Sequence, residues 1–269
     1  MRNSVFATAL LVLVLACGSA WAADPAAATY NWTGFYVGLN AGGAINDSTY
    51  TQSPTGEFFT ETFFHPLSQI TNSGKLSDIG FTFGGQAGYN RQVGIVVYGL
   101  ETDFNYDSTH DSNTGSSTFI PHELVGILQP PRLAGGDPLV ISFVHTVNQR
   151  IDCFGTLRGR LGFTPADRFL IYATGGLAYG YVSSSSNVFL DGANFPGSSS
   201  GFQAGWTVGA GGEYALTNSC SVKLEYLYMD LGSTSFTAVG QFPAPPTYTY
   251  VTNIDTAQHI IRVGINYKF

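Results

Sequence analysis

Between Ile151 and Val182 the chain reads IDCFGTLRGRLGFTPADRFLIYATGGLAYGYV, two alternating runs joined by Thr164-Pro165-Ala166-Asp167-Arg168. In the first run Ile151, Cys153, Leu157, Leu161 and Phe163 share one parity, and Asp152, Thr156, Arg158 and Arg160 share the other. After the turn, Ile171, Ala173, Leu177, Tyr179 and Tyr181 continue the apolar parity against Thr174, Gly176 and Gly180. Successive strand side chains point to opposite faces, so this pattern predicts a long β-hairpin with one apolar and one charged face. Each arm holds about 13 residues, well beyond the roughly 5–6 of a soluble strand. A tilted strand crossing a bilayer needs about 9–11.

The pattern recurs along the chain. Strands are predicted over Phe35–Ala44, Ile79–Asn90, Ile95–Asp107, the two arms of the hairpin, Gly201–Leu216, Ser221–Leu231 and Thr256–Phe269. Between them lie four long polar segments, Ile45–Asp78, Ser108–Asn148, Ser183–Ser200 and Gly232–Asp255, and three short turns at Arg91–Gly94, Thr164–Arg168 and Thr217–Cys220. Prolines 121, 130, 131 and 138 argue against a central strand in the second long segment. Long and short connections alternate strictly, so a meander places all long loops at one end. The expected fold is all-β: an eight-stranded antiparallel up-and-down transmembrane β-barrel with short periplasmic turns, long extracellular loops and both termini periplasmic.

Alternation alone does not say which face meets lipid, since a lipocalin-like soluble barrel would put its apolar face inside. Three features decide the direction. Glycines 84, 88, 99, 176, 180, 205, 209, 211 and 264 fall mostly on the polar parity, where small residues suit a crowded interior. Charged residues make up only 11% of the chain, against roughly 25% in soluble domains. Those on the strands balance, Arg158, Arg160, Lys223 and Arg262 against Glu101, Asp103, Glu213 and Glu225, as a confined interior requires. Aromatics gather at strand ends (Phe35, Tyr89, Tyr106, Phe163, Tyr181, Tyr214, Tyr267), the positions of interfacial girdles. No apolar run approaches the roughly 18 residues of a membrane helix. The net charge of −7 and the absence of a basic patch exclude nucleic acid as a partner.

Residues 1–22 have the form of a cleaved signal peptide: Arg2, an apolar stretch from Phe6 to Ala16, and Ala20-Trp21-Ala22 as the cleavage site. Residues 23–31 then form a periplasmic linker and 32–269 the barrel. A lipobox-like Val14-Leu15-Ala16-Cys17-Gly18 competes, with Cys17 as the lipidated residue. Cys153 and Cys220 are expected as isolated thiols at opposite membrane faces, beyond bridging distance. No catalytic, metal or cofactor constellation is found. His65, His110, His122 and His145 fall in predicted loops without ligand spacing, and His259 is expected in interfacial packing. Ser183–Ser186 has no positioned His and Asp partner, and Gly209–Gly212 lies inside a strand rather than at a phosphate-binding turn.

The segments NWTGFYVGLNAGG, FGTLRGRLGFTPADRFLIYATGGLAYG, GWTVGAGGEYALT, KLEYLYMDLG and HIIRVGINYKF resemble the Omp25/Omp31-like outer-membrane β-barrel family, small barrels related to the membrane domain of outer-membrane protein A. The resemblance covers all eight predicted strands and both ends. Ile45–Asp78 and Ser108–Asn148 carry no family motif. It implies an outer-membrane protein in contact with outer-membrane lipid, with Phe269, Tyr267 and Ile265 as the terminal signal read by the barrel-assembly machinery. Family members are mostly structural surface proteins, some of them porin-like.

The interior charges admit two readings, a selectivity constriction or a paired plug, and the narrow interior of an eight-stranded barrel favours the plug. Phe58, Phe59, Phe63, Phe64 and Leu124–Leu128 put apolar residues in extracellular loops, where they pack on one another or contact an extracellular or host surface. The function expected is therefore structural and non-enzymatic, supporting the envelope and displaying surface loops. A narrow diffusion channel and an adhesin are the alternatives; a soluble carrier is the outsider.

Overall fold

A computed structural model describes residues 30–56, 71–119, 141–190, 192–241 and 247–269. The signal segment, Cys17, His65, His122, the loop phenylalanines 58–64 and Leu124–Leu128 lie outside them. The described residues form eleven strands: β1 (Gly34–Asn46), β2 (Ser48–Gly56), β3 (Asn72–Leu76), β4 (Ile79–Val93), β5 (Val96–Asp107), β6 (His110–Phe119), β7 (Ile141–Ala166), β8 (Phe169–Leu190), β9 (Ala193–Ala215), β10 (Cys220–Val239) and β11 (Tyr248–Lys268). Neighbours pair antiparallel along β1-β4-β5-β7-β8-β9-β10-β11, and β11 pairs back to β1 from Tyr36↔Lys268 to Asn46↔Gln258. Closure matters because lipid offers nothing to an unpaired backbone N–H or C=O.

The strands are longer than the sequence pattern predicts, and the difference has one cause. A hydrogen-bonded ladder needs no apolar face, so polar segments read as loops continue the sheet. β7 runs for 26 residues and β8 for 22, at least twice the roughly 9–11 that a bilayer needs. Ser183–Ser200 is no long loop: β8 and β9 stay paired from Ser183↔Ser200 to Leu190↔Ala193, turning through Gly192 at φ 87°. Gly232–Asp255 likewise belongs largely to β10 and β11. β2, β3 and β6 arise from the first two long segments, with β2 on β11 and β6 on β7. His110 and His145 consequently stand in strands rather than loops.

The outward face has two zones. Leu157, Leu161, Leu177, Phe202, Val208, Leu224, Ile261 and Val263 are exposed, whereas Thr82, Gln86, Asp103, Arg158, Glu225 and Asn266 are buried in the lumen. Further along the same strands the outward residues turn polar, at Ser183 after Tyr181, at Ser200 before Phe202, and at Arg150 before Cys153. Aromatic pairs line both borders of the apolar zone, Phe35–Tyr89 at 4.7 Å near the short turns and Tyr181–Phe202 at 5.3 Å at the other end.

One side chain departs from the expected parity. A bulge between Ile151 and Cys153 turns Ile151 into the lumen, 1% exposed beside Phe154, rather than outward with Cys153. Lys268 lies at the barrel end, its ammonium 4.1 Å from the ring centroid of Tyr30. Cys153 is free, but Cys220 is not a free thiol, so the expectation of isolated thiols holds for Cys153 alone.

Inward glycines let the walls approach. A Cβ on Gly205 would collide with the Asp230 carbonyl oxygen of the adjoining strand, whereas one on Gly201 meets nothing within 4 Å. Gly205→Ala is expected to cost about 1–3 kcal/mol by overpacking and Gly201→Ala less than about 0.5 kcal/mol. Urea unfolding from lipid vesicles measures both.

Candidate functional site

The lumen holds an ionic network built by strand parity. Glu101 and Asp103 come from β5, Arg158 and Arg160 from β7, Glu213 from β9, Lys223 and Glu225 from β10, and Arg262 from β11. Glu101 faces Arg158, Glu213 faces Lys223 and Glu225 faces Arg262 across adjacent strands, the placement in which opposite charges stabilise a sheet. All eight side chains are 4% exposed or less, and four positive charges meet four negative ones.

Arg158 lies at the centre. Its Nη2 donates to Glu101 Oε1 at 2.5 Å and Asp103 Oδ2 at 3.0 Å, and its Nη1 to Glu225 Oε1 at 3.1 Å. Arg262 bridges the same acids, Nη2 to Asp103 at 2.8 Å and Nε to Glu225 at 2.8 Å. The Lys223 ammonium donates to Glu101 at 2.9 Å. Arg160 donates to Glu213 at 2.7 Å and places its guanidinium 3.9 Å from the ring centroid of Tyr172.

Neutral side chains complete the set. Tyr36 donates its hydroxyl proton to Glu101 at 2.8 Å and accepts from Arg160 at 2.8 Å. Tyr172 donates to Glu225 at 3.0 Å, Asn266 to Glu213 at 2.8 Å, and Gln86 to Asn266 at 2.6 Å. Through Gln86 on β4, Tyr36 on β1 and Tyr172 on β8, the network touches every strand of the closed path. Sequence reading named the eight charges and missed these neutral partners, although Tyr36 and Tyr172 sit on the inward parity of their strands. A phenol or amide carries no sign of its own from which a partner can be inferred.

Apolar layers enclose the network. On the short-turn side Tyr30, Trp32, Val97, Leu170, Tyr172 and Ala215 cluster in the mouth, where the Trp32 backbone N–H donates to Gln92 Oε1 at 2.9 Å. On the other side Ala44, Ile151, Phe154, Ala178, Val182, Leu227, Met229, Leu231 and Ile260 form an internal core. Beyond it follow a polar layer including Asn46, Asp107, Gln149 and Gln258 and further apolar clusters around Tyr50 and Phe143. In the extension His145 bonds the Tyr50 hydroxyl at 3.0 Å, and burial pushes its imidazole below the usual range.

Each carboxylate of the network is held by at least one guanidinium or ammonium donor. Among the described residues no three His, Cys, Asp or Glu side chains come together as a metal site. The predicted end residues lie apart from the network: Ile265 and Tyr267 face outward on β11, and Phe269 is 77% exposed, its N–H bonded to the Phe35 carbonyl at 3.0 Å.

Charges inside and hydrocarbon outside is the arrangement of a lipid-embedded barrel. The family model for the outer membrane protein beta-barrel domain matches residues 8–269. The chain belongs to this outer-membrane barrel family. Its relatives place it in the Omp25/Omp31 group. The 31 kDa outer-membrane immunogenic protein of Brucella melitensis is 36% identical over 242 residues, covering 90% of this chain and 85% of that protein. The 25 kDa outer-membrane immunogenic protein of Brucella abortus is 26% identical over 240 residues, covering 89% and 80%. Among solved structures, the outer membrane protein OprG from Pseudomonas aeruginosa has a TM-score of 0.48 at 13% identity, covering 90% of this chain and 99% of that one.

In this outer-membrane barrel, removing one member of the network leaves buried charge without its counterion. Arg262→Met is expected to cost about 3–5 kcal/mol. The double variant Arg262→Met/Asp103→Leu should cost less than the sum of the single changes, because each removes the charge the other leaves stranded. Urea midpoints of the four proteins in lipid vesicles test this.

Proposed function

We propose that the protein is a closed, non-enzymatic structural barrel of the outer membrane, which supports envelope integrity and displays its long strand extension at the cell surface. Eight strands carry the lipid-facing zone. The short turns and both termini face the periplasm, and the extension and loops face outward, the usual disposition for such barrels. Cleavage after Ala22 and delivery through the barrel-assembly machinery, with Phe269, Tyr267 and Ile265 as the terminal signal, go with this reading.

The observation that supports it is the stacking of buried apolar clusters on both sides of the ionic network. A diffusion channel needs a continuous wetted path, and the ionic network is stacked between two apolar layers, with Trp32 2% exposed below and Leu227 0% above. The charges thus act as a register lock. A one-residue slip would turn every one of them toward hydrocarbon.

Purified protein in planar bilayers is expected to give no discrete conductance steps. Steps whose ion selectivity changes in Arg158→Gln or Glu225→Gln would establish the channel reading instead. Deleting Phe269 is expected to lower the amount of assembled, heat-modifiable barrel in outer-membrane fractions severalfold without changing synthesis; unchanged assembly would remove that residue from the terminal signal.

A further inference from the structure

The outward face of the extension on β6–β9 combines hydroxyls and amides with a cation, Arg150. Strand pairing sets His110, Arg150, Ser183 and Ser200 in one transverse row. Ser112, Asn148, Ser185 and Ser198 form the next row, with Asn148 Nδ2 3.5 Å from Ser185 Oγ. All of these but Ser112 line a shallow cleft of about 360 Å³. Immediately below it on the same strands stand Tyr181 and Phe202, the latter 73% exposed at the border of the apolar zone.

We propose that this cleft binds the phosphorylated saccharide head group of a glycolipid in the surrounding leaflet, whose acyl chains lie along the apolar wall beneath. The inference rests on the outward orientation argued above. Serine hydroxyls both donate and accept, as sugar hydroxyls do. Phosphate calls for an arginine fork. Arg150 bonds Asp152 at 2.9 Å through Nη2, but its side chain stays 55% exposed, which leaves the other guanidinium donors open to solvent. Lys75 is the other described cation outside the lumen on the extension, and it lies 3.6 Å from Asp47. Continuity with the aromatic border selects a membrane lipid over a free glycan, since a soluble sugar gains nothing from lying above an apolar belt. A phospholipid head group would leave most of the hydroxyl rows unused.

The test uses the mature full-length protein in detergent and native mass spectrometry with lipid A, dephosphorylated lipid A, phosphatidylglycerol and glucosamine 1-phosphate as probes. Lipid A should bind best, and Arg150→Gln or loss of the phosphates should each weaken it about tenfold. The double variant Ser185→Leu/Ser198→Leu should weaken it as well. Heat-modifiable gel migration checks folding; if Arg150→Gln does not fold, Ser198→Asp, which sets a negative charge on the same face, takes its place with the same expected loss. Equal binding of phosphatidylglycerol, equal binding of free glucosamine 1-phosphate, or lipid A binding unmoved by the variants would each overturn the proposal. Labelling Thr237→Cys, exposed on the outward face of β10 away from the cleft, on intact cells with a membrane-impermeant maleimide separates the two failures. An unlabelled cysteine sinks the orientation, while a labelled one with unmoved lipid A binding sinks this site alone.

Discussion

Opposite charges on facing strands, buried where water cannot reach them, are the constraint on which this barrel depends. Each of the eight ions of the network would be costly alone in hydrocarbon or in a dry interior. Their cost is offset only when β5, β7, β9, β10 and β11 bring them within 2.5–3.1 Å of one another. The network is therefore a condition on register as much as a source of stability. It is met by one alignment of the strands, the same alignment that turns Leu157, Leu224 and Val263 toward lipid.

The interior is not uniformly polar. Phe154, Leu227, Met229 and Ile260 occupy inward positions next to the ions, so the barrel has a hydrophobic core of its own above the charge layer. Tyr30 and Trp32 close the opposite mouth. Layers of this kind lower the effective dielectric around the ions and strengthen their attraction.

Past the apolar zone the sheet continues although neither face is continuously greasy. Backbone pairing and small inner clusters such as Tyr50, Leu76, Val147, Phe236 and Ile254 suffice to hold it. The outward surface there is free to be hydroxyl-rich, as on β8 and β9, because no core packing is asked of it.

The all-β antiparallel architecture and the opposition of apolar and charged faces along each strand were legible in the sequence, since period-two alternation ties each side chain to one of two environments. Pairing partners follow from that alternation and from the short turns. The bulge at Asp152 was hidden, because one extra residue reverses parity without any compositional mark, and Ile151 looks as apolar inside as out. The strand extensions were hidden too: Ser183–Ser186 and Ser198–Ser200 carry turn-like composition, and only their pairing across the sheet makes them strands. The neutral members of the network and the layered seals were decided by tertiary structure alone. Which phenol reaches which carboxylate, and which apolar side chains meet across the lumen, depends on closure of the ring, and closure brings together residues far apart in the chain.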